Sequence, residues 1–145
     1  MTARQILGSP PVSRCRRVSL GRVDERRGSL CVAEVGPHIP FDVQRAYWIF
    51  DVPTVGQRAN HAHREQSELL VSVRGAFTVH CDDGSVQTAY CLDSPEQALL
   101  LPRMVFHTLE EFRPGSVCLV LASGAYDPQE YVTDYTEFRE LIAQR

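Results

Sequence analysis

The sequence predicts an all-β sandwich or barrel closed by one short C-terminal helix. Three observations predict it: short strand-like runs recur at even spacing, turn residues separate them, and a three-to-four-residue apolar period begins only after position 127. At 145 residues, 43% hydrophobic and with 15 basic against 18 acidic side chains for a net charge of −3, the chain reads as one soluble globular domain. A chain of this length buries roughly two-thirds of its unfolded surface, so one core holds it without disulfide or metal staples.

Residues 1–13, with Gly8, Ser9, Pro10 and Pro11, have a composition that packs poorly and are expected to form a flexible N-terminal tail. Residues 14–145 then form the single domain. The expected strands are Ser29–Glu34, Val43–Phe50, Glu68–Val73, Ala76–Cys81, Val86–Leu92, Ala98–Leu101 and Ser116–Ala122. Gly36-Pro37, Asp82-Asp83-Gly84, Ser94-Pro95 and Arg113-Pro114-Gly115 punctuate them. Helix is expected only at the end. Asp127-Pro128 with Glu130, and Asp134 with Glu137, are N-cap patterns. Tyr131, Tyr135, Phe138 and Ile142 follow at helical spacing and would pack one face onto the sheet.

Several function classes are excluded. All fifteen basic residues are arginine, so a phosphate loop ending in Gly-Lys, a pyridoxal Schiff base and a lysine nucleophile have no residue to build them. There is no GxSxG elbow and no GxGxxG turn. Cys15, Cys31, Cys81, Cys91 and Cys118 are odd in number and form no CxxC pair, against both a disulfide framework and a zinc knuckle. Arg14, Arg16, Arg17, Arg22, Arg26 and Arg27 cluster, but without interleaved aromatics and in an acidic chain they read as a solvated or anion-facing segment, not a nucleic-acid arm. No apolar run approaches the roughly twenty residues of a membrane helix, and the N-terminus lacks a signal-peptide pattern. The expectation is a cytoplasmic protein that binds neither nucleic acid nor membrane.

The stretch Gly56 to His63 carries the functional signal. In a strand, residues two apart share a face, so His61 and His63 present two imidazoles to one space. An isolated HxH is as often satisfied by backbone carbonyls or simply exposed. Here Glu68 follows five residues later, Gly75 closes the segment, and Pro102 and His107 come after a further strand pair.

This set resembles the two signature motifs of the cupin superfamily, which implies a double-stranded β-helix, or jelly roll. By that resemblance His61, His63, Glu68 and His107 match the positions that bind a divalent metal in metallo-cupins, while Met104 stands where a glycine is usual. A narrower resemblance runs from about Arg26 to the C-terminus. Arg27-Gly28-Ser29-Leu30, Ile39-Pro40-Phe41, Arg45 through Asp51, Arg58 through His63, Leu92 through Pro95 and Leu121-Ala122-Ser123 with Tyr126-Asp127 resemble the nucleotide-sugar 3,4-ketoisomerases. Those are small dimeric cupins acting on dTDP-4-keto-6-deoxyglucose. Ala59 replaces a usual glycine, Asn60 is polar, and Glu68 stands where glutamine is frequent.

Moving a ketone from carbon 4 to carbon 3 needs a proton removed from one carbon and returned to the other, which neutral imidazoles can do without a cofactor. The resemblance implies His63 as proton carrier, with His61 bonding the sugar oxygens. Tyr47, sharing a face with Arg45 and Ile49, is a phenolic donor or a packed aromatic. Arg58 and Arg27 are candidates for the diphosphate, because arginine offers a permanent planar fork, with surface ion pairs as their alternative role and the expected role of Arg22, Arg26 and Arg64. His107 is a second donor near carbon 4 and, by resemblance, points to the galactose configuration of the product. A homodimer exchanging N-terminal strands is implied. The alternatives are a metal-dependent cupin oxygenase or metalloisomerase using His61, His63, Glu68 and His107, and a non-catalytic sugar-binding cupin.

Overall fold

The computed structural model describes residues 14–145; the expected tail at 1–13 lies outside the described residues. Two five-stranded antiparallel sheets face each other as a jelly roll. One contains β1 (Arg16–Ser19), β9 (Gln97–Leu101), β6 (Glu68–Arg74), β11 (Val117–Ala122) and β4 (Arg45–Phe50), in that order. The other contains β12 (Tyr131–Val132), β5 (Arg58–His63), β10 (Phe106–Glu110), β7 (Phe77–Asp82) and β8 (Gln87–Leu92). A separate hairpin, β2 (Gly21–Glu25) with β3 (Gly28–Val32), completes the strands.

Period-two alternation decides which residues face between the sheets. Phe77, Val79 and Cys81 of β7, Leu109 of β10, Cys118 and Val120 of β11 and Leu70 of β6 meet there with Phe112, Leu99 and Leu101. Phe77 and Phe112 stack at 4.9 Å. Strand β6 is buried on both faces because Ile39, Phe41 and Val43 cover Leu69 and Val71 from outside. The residues that meet between the sheets fill that space, and Leu70, Leu109 and Val120 among them also border a cavity whose remaining wall carries polar side chains.

The seven expected strands are all present within one or two residues of their ends. Strands β1, β2 and β12 were not anticipated. β1 is arginine-rich, and its place is fixed by the ladder to β9 and by buried Val18. Every residue of β2 is exposed, so no hydrophobic pattern marks it.

The expected C-terminal helix divides in two. Pro128–Glu130 forms a single 3-10 turn capped by Asp127, and α1 (Tyr135–Ala143) begins after a second cap, where Asp134 accepts from Thr136 N and Glu137 N. Between them Tyr131 and Val132 pair with His63 and Ala62 as β12. Phe138 and Ile142 pack with Met104, Phe106 and Val132 as expected of a helix on a sheet, but Tyr131 leaves that stripe.

Candidate active site

A cavity of about 430 Å³ opens between the sheets, within the size range of small-molecule sites. β4 contributes Arg45, Tyr47 and Ile49; β5 contributes Arg58, Ala59 and His61; β6 contributes Glu68 and Leu70; β10 contributes His107 and Leu109. Val120, Tyr126 and Tyr131 complete the wall. The structure therefore gathers His61, His107, Glu68, Tyr47 and Arg58 around one space, with His63 directly behind.

The imidazoles are placed by register and by a bulge. His107 pairs with His61, and the next pair is Thr108 with Ala59, so Asn60 is an extra residue. Ala59 and Asn60 take left-handed φ values of 69° and 56°. The Asn60 side chain accepts from Thr108 Oγ1 at 2.9 Å, which stabilises the bulge. His61 Nδ1 lies 3.0 Å from Ala59 O, and His107 Nδ1 lies 3.0 Å from Val105 O. A carbonyl only accepts, so both Nδ1 atoms carry hydrogen. In the neutral rings the lone pairs are then on Nε2.

Glu68 crosses from the opposite sheet. Its Oε1 is 3.0 Å from His63 Nε2, out of line for a well-formed N–H bond, and accepts from the Tyr47 hydroxyl at 2.9 Å. Its Oε2 is 4.0 Å from His107 Nε2. Burial acts to raise the carboxyl, but His63, His107 and the Tyr47 bond outweigh it and hold it at about 2. Tyr47 is pushed up by burial and by the Glu68 charge, so it remains a phenol engaged with Glu68.

Burial, with His107 and His63 alongside, lowers His61 to about 3, and burial lowers His107 as well. Below about pH 6.5 the unfolded chain takes up protons that these folded imidazoles refuse, and below about 4.5 it does so at Glu68 too. All three shifts make stability fall with acidification. Thermal midpoints should therefore decline between about pH 7.5 and about pH 5; a midpoint that stays flat or rises contradicts these shifts.

The two paired histidines differ in their position relative to the cavity. His63 is 3% exposed, does not line the cavity and lies against Glu68, whereas His61 lines the cavity and its Nε2 has no protein partner among the described residues. Arg58 lies where the cavity meets a neighbouring depression lined by Trp48, Phe50 and Val52. Arg27 sits at the far end of the β2–β3 hairpin, 90% exposed and paired to Glu25 at 2.9 Å, and does not line this cavity within one chain. Arg22 and Arg64 are surface ion pairs as expected, with Asp24 and Glu137 respectively.

Nitrogens of His61, His63 and His107 lie within 4.8 Å of one another. Among the described residues His61 Nε2 and His63 Nδ1 have no hydrogen-bond partner, and His63 Nε2 meets Glu68 only out of line, so this three-imidazole set fits a divalent ion. Glu68 falls outside that group.

The FdtA model, described as WxcM-like, C-terminal, matches residues 13–143. The chain belongs to this WxcM-like family. A curated relative, the TDP-4-oxo-6-deoxy-alpha-D-glucose-3,4-oxoisomerase of Aneurinibacillus thermoaerophilus, is 35% identical over 127 residues, 88% of this chain and 91% of its own. The structure is similar to a TDP-quinovose 3,4-ketoisomerase from Campylobacter jejuni, at a TM-score of 0.84 and 31% identity, covering 87% of this chain and 97% of that one. It is also similar to a 3,4-ketoisomerase from Helicobacter canadensis, at 0.86 and 29%, covering 89% and 97%. A double mutant of a 3,4-ketoisomerase from Thermoanaerobacterium thermosaccharolyticum, in complex with TDP, matches at 0.86 and 27%, covering 90% and 95%.

Two positions where this WxcM-like chain lacks a usual cupin or ketoisomerase glycine keep the glycine backbone. Met104 has φ +57° and Ala59 φ +69°, so the turn geometry survives while a side chain is added. Met104 N donates to His63 O at 2.8 Å, which ties that turn to the histidine strand. Tyr126 and Tyr131 also line the cavity, although the sequence does not single them out. Tyr131 lies 4.8 Å, ring to ring, from both His61 and His63. Gln66 accepts from Arg45 and donates to Ala125 O.

Proposed function

We infer that the chain is a nucleotide-sugar 3,4-ketoisomerase that converts TDP-4-keto-6-deoxyglucose into a TDP-3-keto-6-deoxyhexose. The observation that carries this is His61, on the cavity wall with Nδ1–H fixed to Ala59 O and Nε2 free as a base. His61 Nε2 takes the proton from carbon 3; the C–H pair forms the C3=C4 bond and charge moves to the carbon 4 oxygen. The imidazolium then returns the proton to carbon 4. His63 and Tyr47 hold Glu68, whose carboxylate keeps a negative charge beside the imidazoles and favours their transient protonation. Incubation with TDP-4-keto-6-deoxyglucose, followed by proton NMR, tests the reading: a 3-keto product supports it, and unchanged substrate overturns it.

Arg58 is assigned to the diphosphate because it bridges the cavity and the depression beside it and makes no ion pair among the described residues. Arg58→Ala is expected to weaken TDP binding by about 1.5–3 kcal/mol, the loss of a charge-assisted contact. Unchanged affinity in calorimetry removes it from that role.

The proposal extends to the galactose configuration at carbon 4. His107 stands 4.9 Å from His61, ring to ring, and its Nε2 reaches the sugar from a second strand. A large coupling between the protons on carbons 4 and 5 of the product would mean the glucose configuration and refute this.

A homodimer is proposed on two unpartnered apolar surfaces. The β2–β3 hairpin exposes Val23, Leu30 and Val32, and the outer face of edge strand β4 exposes Trp48 at 61% and Phe50 at 56%. A second copy covers both and gives the hairpin carrying Arg27 a route to the partner's cavity. Light scattering should give twice 16.3 kDa; a mass near 16.3 kDa overturns the dimer. The five cysteines are unpaired, in keeping with a reducing cytoplasm.

The unpartnered nitrogens favour one second reading, a metalloisomerase in which His61, His63 and His107 hold a divalent ion that polarises the sugar carbonyl. Stoichiometric metal and loss of activity with a chelator would support it. Full activity in chelator overturns it.

A further inference from the structure

Away from the cavity between the sheets, two of the five thiols line a second cavity together. We propose that Cys15 and Cys81 form a modification site that reacts with a small anionic disulfide and ends as a disulfide bond tying the segment before β1 to β7. The chemistry of the first cavity plays no part in this assignment.

Backbone pairing brings the two cysteines together. Cys81 lies on β7 in alternation with Phe77 and Val79, so its side chain faces between the sheets and is 5% exposed. Cys15 directly precedes β1, whose ladder to β9 begins with Arg16 opposite Leu100. That register lays Cys15, half-buried, against the same apolar cluster from the β1 edge of the sandwich. Both line a cavity of about 340 Å³ with Arg14, Asp83 and Tyr90. Each thiol is the other's side-chain hydrogen-bond partner. The other three cysteines are elsewhere: Cys31 on the β2–β3 hairpin, Cys91 exposed on β8 and Cys118 buried in β11.

The pair has an attacking and a resolving member. The bond from Cys81 lowers the Cys15 thiol against the opposing effects of burial and the Asp83 charge, whereas the same bond, together with burial, pushes Cys81 up. The thiolate is the nucleophile, so Cys15, which is also the more accessible, attacks first. Charge selects the reagent. Arg14 is on the cavity wall with no ion pair among the described residues, and the Arg17 guanidinium lies 5.6 Å from the centre of the Tyr90 ring. Two arginines of the N-terminal cluster thus stand beside the thiols, against the one carboxylate of Asp83 on the wall.

The exchange balances. Cys15 loses its proton and its thiolate attacks one sulfur of the small disulfide; that S–S bond breaks, and the departing thiolate takes up the proton. Cys81 then loses its proton and attacks the Cys15 sulfur of the mixed disulfide, expelling the second small thiolate, which takes up that proton. Two protein thiols are oxidised and one small disulfide is reduced to two thiols.

The test is incubation of the reduced full chain with oxidised glutathione, then alkylation of the remaining thiols, intact mass and peptide mapping. A peptide pair linked through Cys15 and Cys81 is expected, with a melting midpoint raised by at least about 4 °C because the bond closes the long loop between them. Cys81→Ser should stop at a glutathione adduct on Cys15, and Cys15→Ser should leave Cys81 unmodified. At low salt Cys15 should react at least about threefold faster with oxidised glutathione than with cystamine, a cationic disulfide, and Arg14→Gln should reduce that preference. Modification confined to Cys31 or Cys91, a Cys15 adduct that persists in the parent chain, or Cys81 reacting as fast without Cys15 overturns the site. Equal rates with the two disulfides overturn the choice of an anionic reagent. Each of these outcomes leaves the ketoisomerase reading where it stands.

Discussion

Replacing His61 by asparagine is expected to slow conversion of TDP-4-keto-6-deoxyglucose by about a hundred- to ten-thousandfold while TDP affinity stays within about twofold. Asparagine retains an amide N–H for the Ala59 carbonyl, so the strand and its bulge persist. It has no lone-pair nitrogen that can be protonated, and the carbon-to-carbon transfer loses its carrier. The nucleotide contacts assigned to Arg58 are untouched. His63→Asn should lose less, because His63 acts behind the cavity on Glu68. Measured rates in the opposite order would return the carrier role to His63, and a His61→Asn rate within about tenfold of wild type would sink the assignment.

The sequence spacing was enough to bring His61 and His63 together, since a period of two admits no other arrangement on a strand. It could not say which ring faces the cavity. That depends on the Asn60 bulge, on the depth of each position between the sheets and on the approach of Glu68 from the other sheet, all of them long-range facts. Arg45 was placed on the face of Tyr47 by the same alternation. Tyr131 was hidden by a competing local signal. Two N-cap patterns flank it and its spacing to Tyr135 is helical, but pairing with His63 and capture of Glu65 N and Gln66 N by the Glu130 carboxylate hold the segment in the sheet. Only the register of a strand more than sixty residues earlier makes that visible.

Arg27 shows the opposite case. The motif Arg27-Gly28-Ser29-Leu30 marks a real hairpin, yet one chain leaves that hairpin without a sheet to join. On the proposed dimer the surroundings of that motif come from a second copy, which reasoning about one chain does not supply.

Gly75→Ala is the expected large effect on stability. Gly75 has φ +76°, and a Cβ there would lie 2.8 Å from Ser116 Cα and 2.9 Å from Ser116 Cβ. Those atoms have little room to move. The Ser116 hydroxyl both accepts from Ala76 N at 3.0 Å and donates to Ala76 O at 2.9 Å, joining the β6–β7 turn to the start of β11. Left-handed backbone costs an alanine about 1–2 kcal/mol and overpacking adds about 1–3, so unfolding free energy should drop by about 2–5 kcal/mol. For a chain of this size that lowers the melting midpoint by about 4–20 °C. Gly115 separates the two terms. Its φ is +79°, nearly the same, but the nearest atom to an added Cβ is Arg74 Nε at 3.9 Å, so Gly115→Ala should carry the backbone penalty alone, about 1–2 kcal/mol. Equal losses in the two variants would show that backbone conformation, and not the approach of Ser116, is what reserves position 75 for glycine.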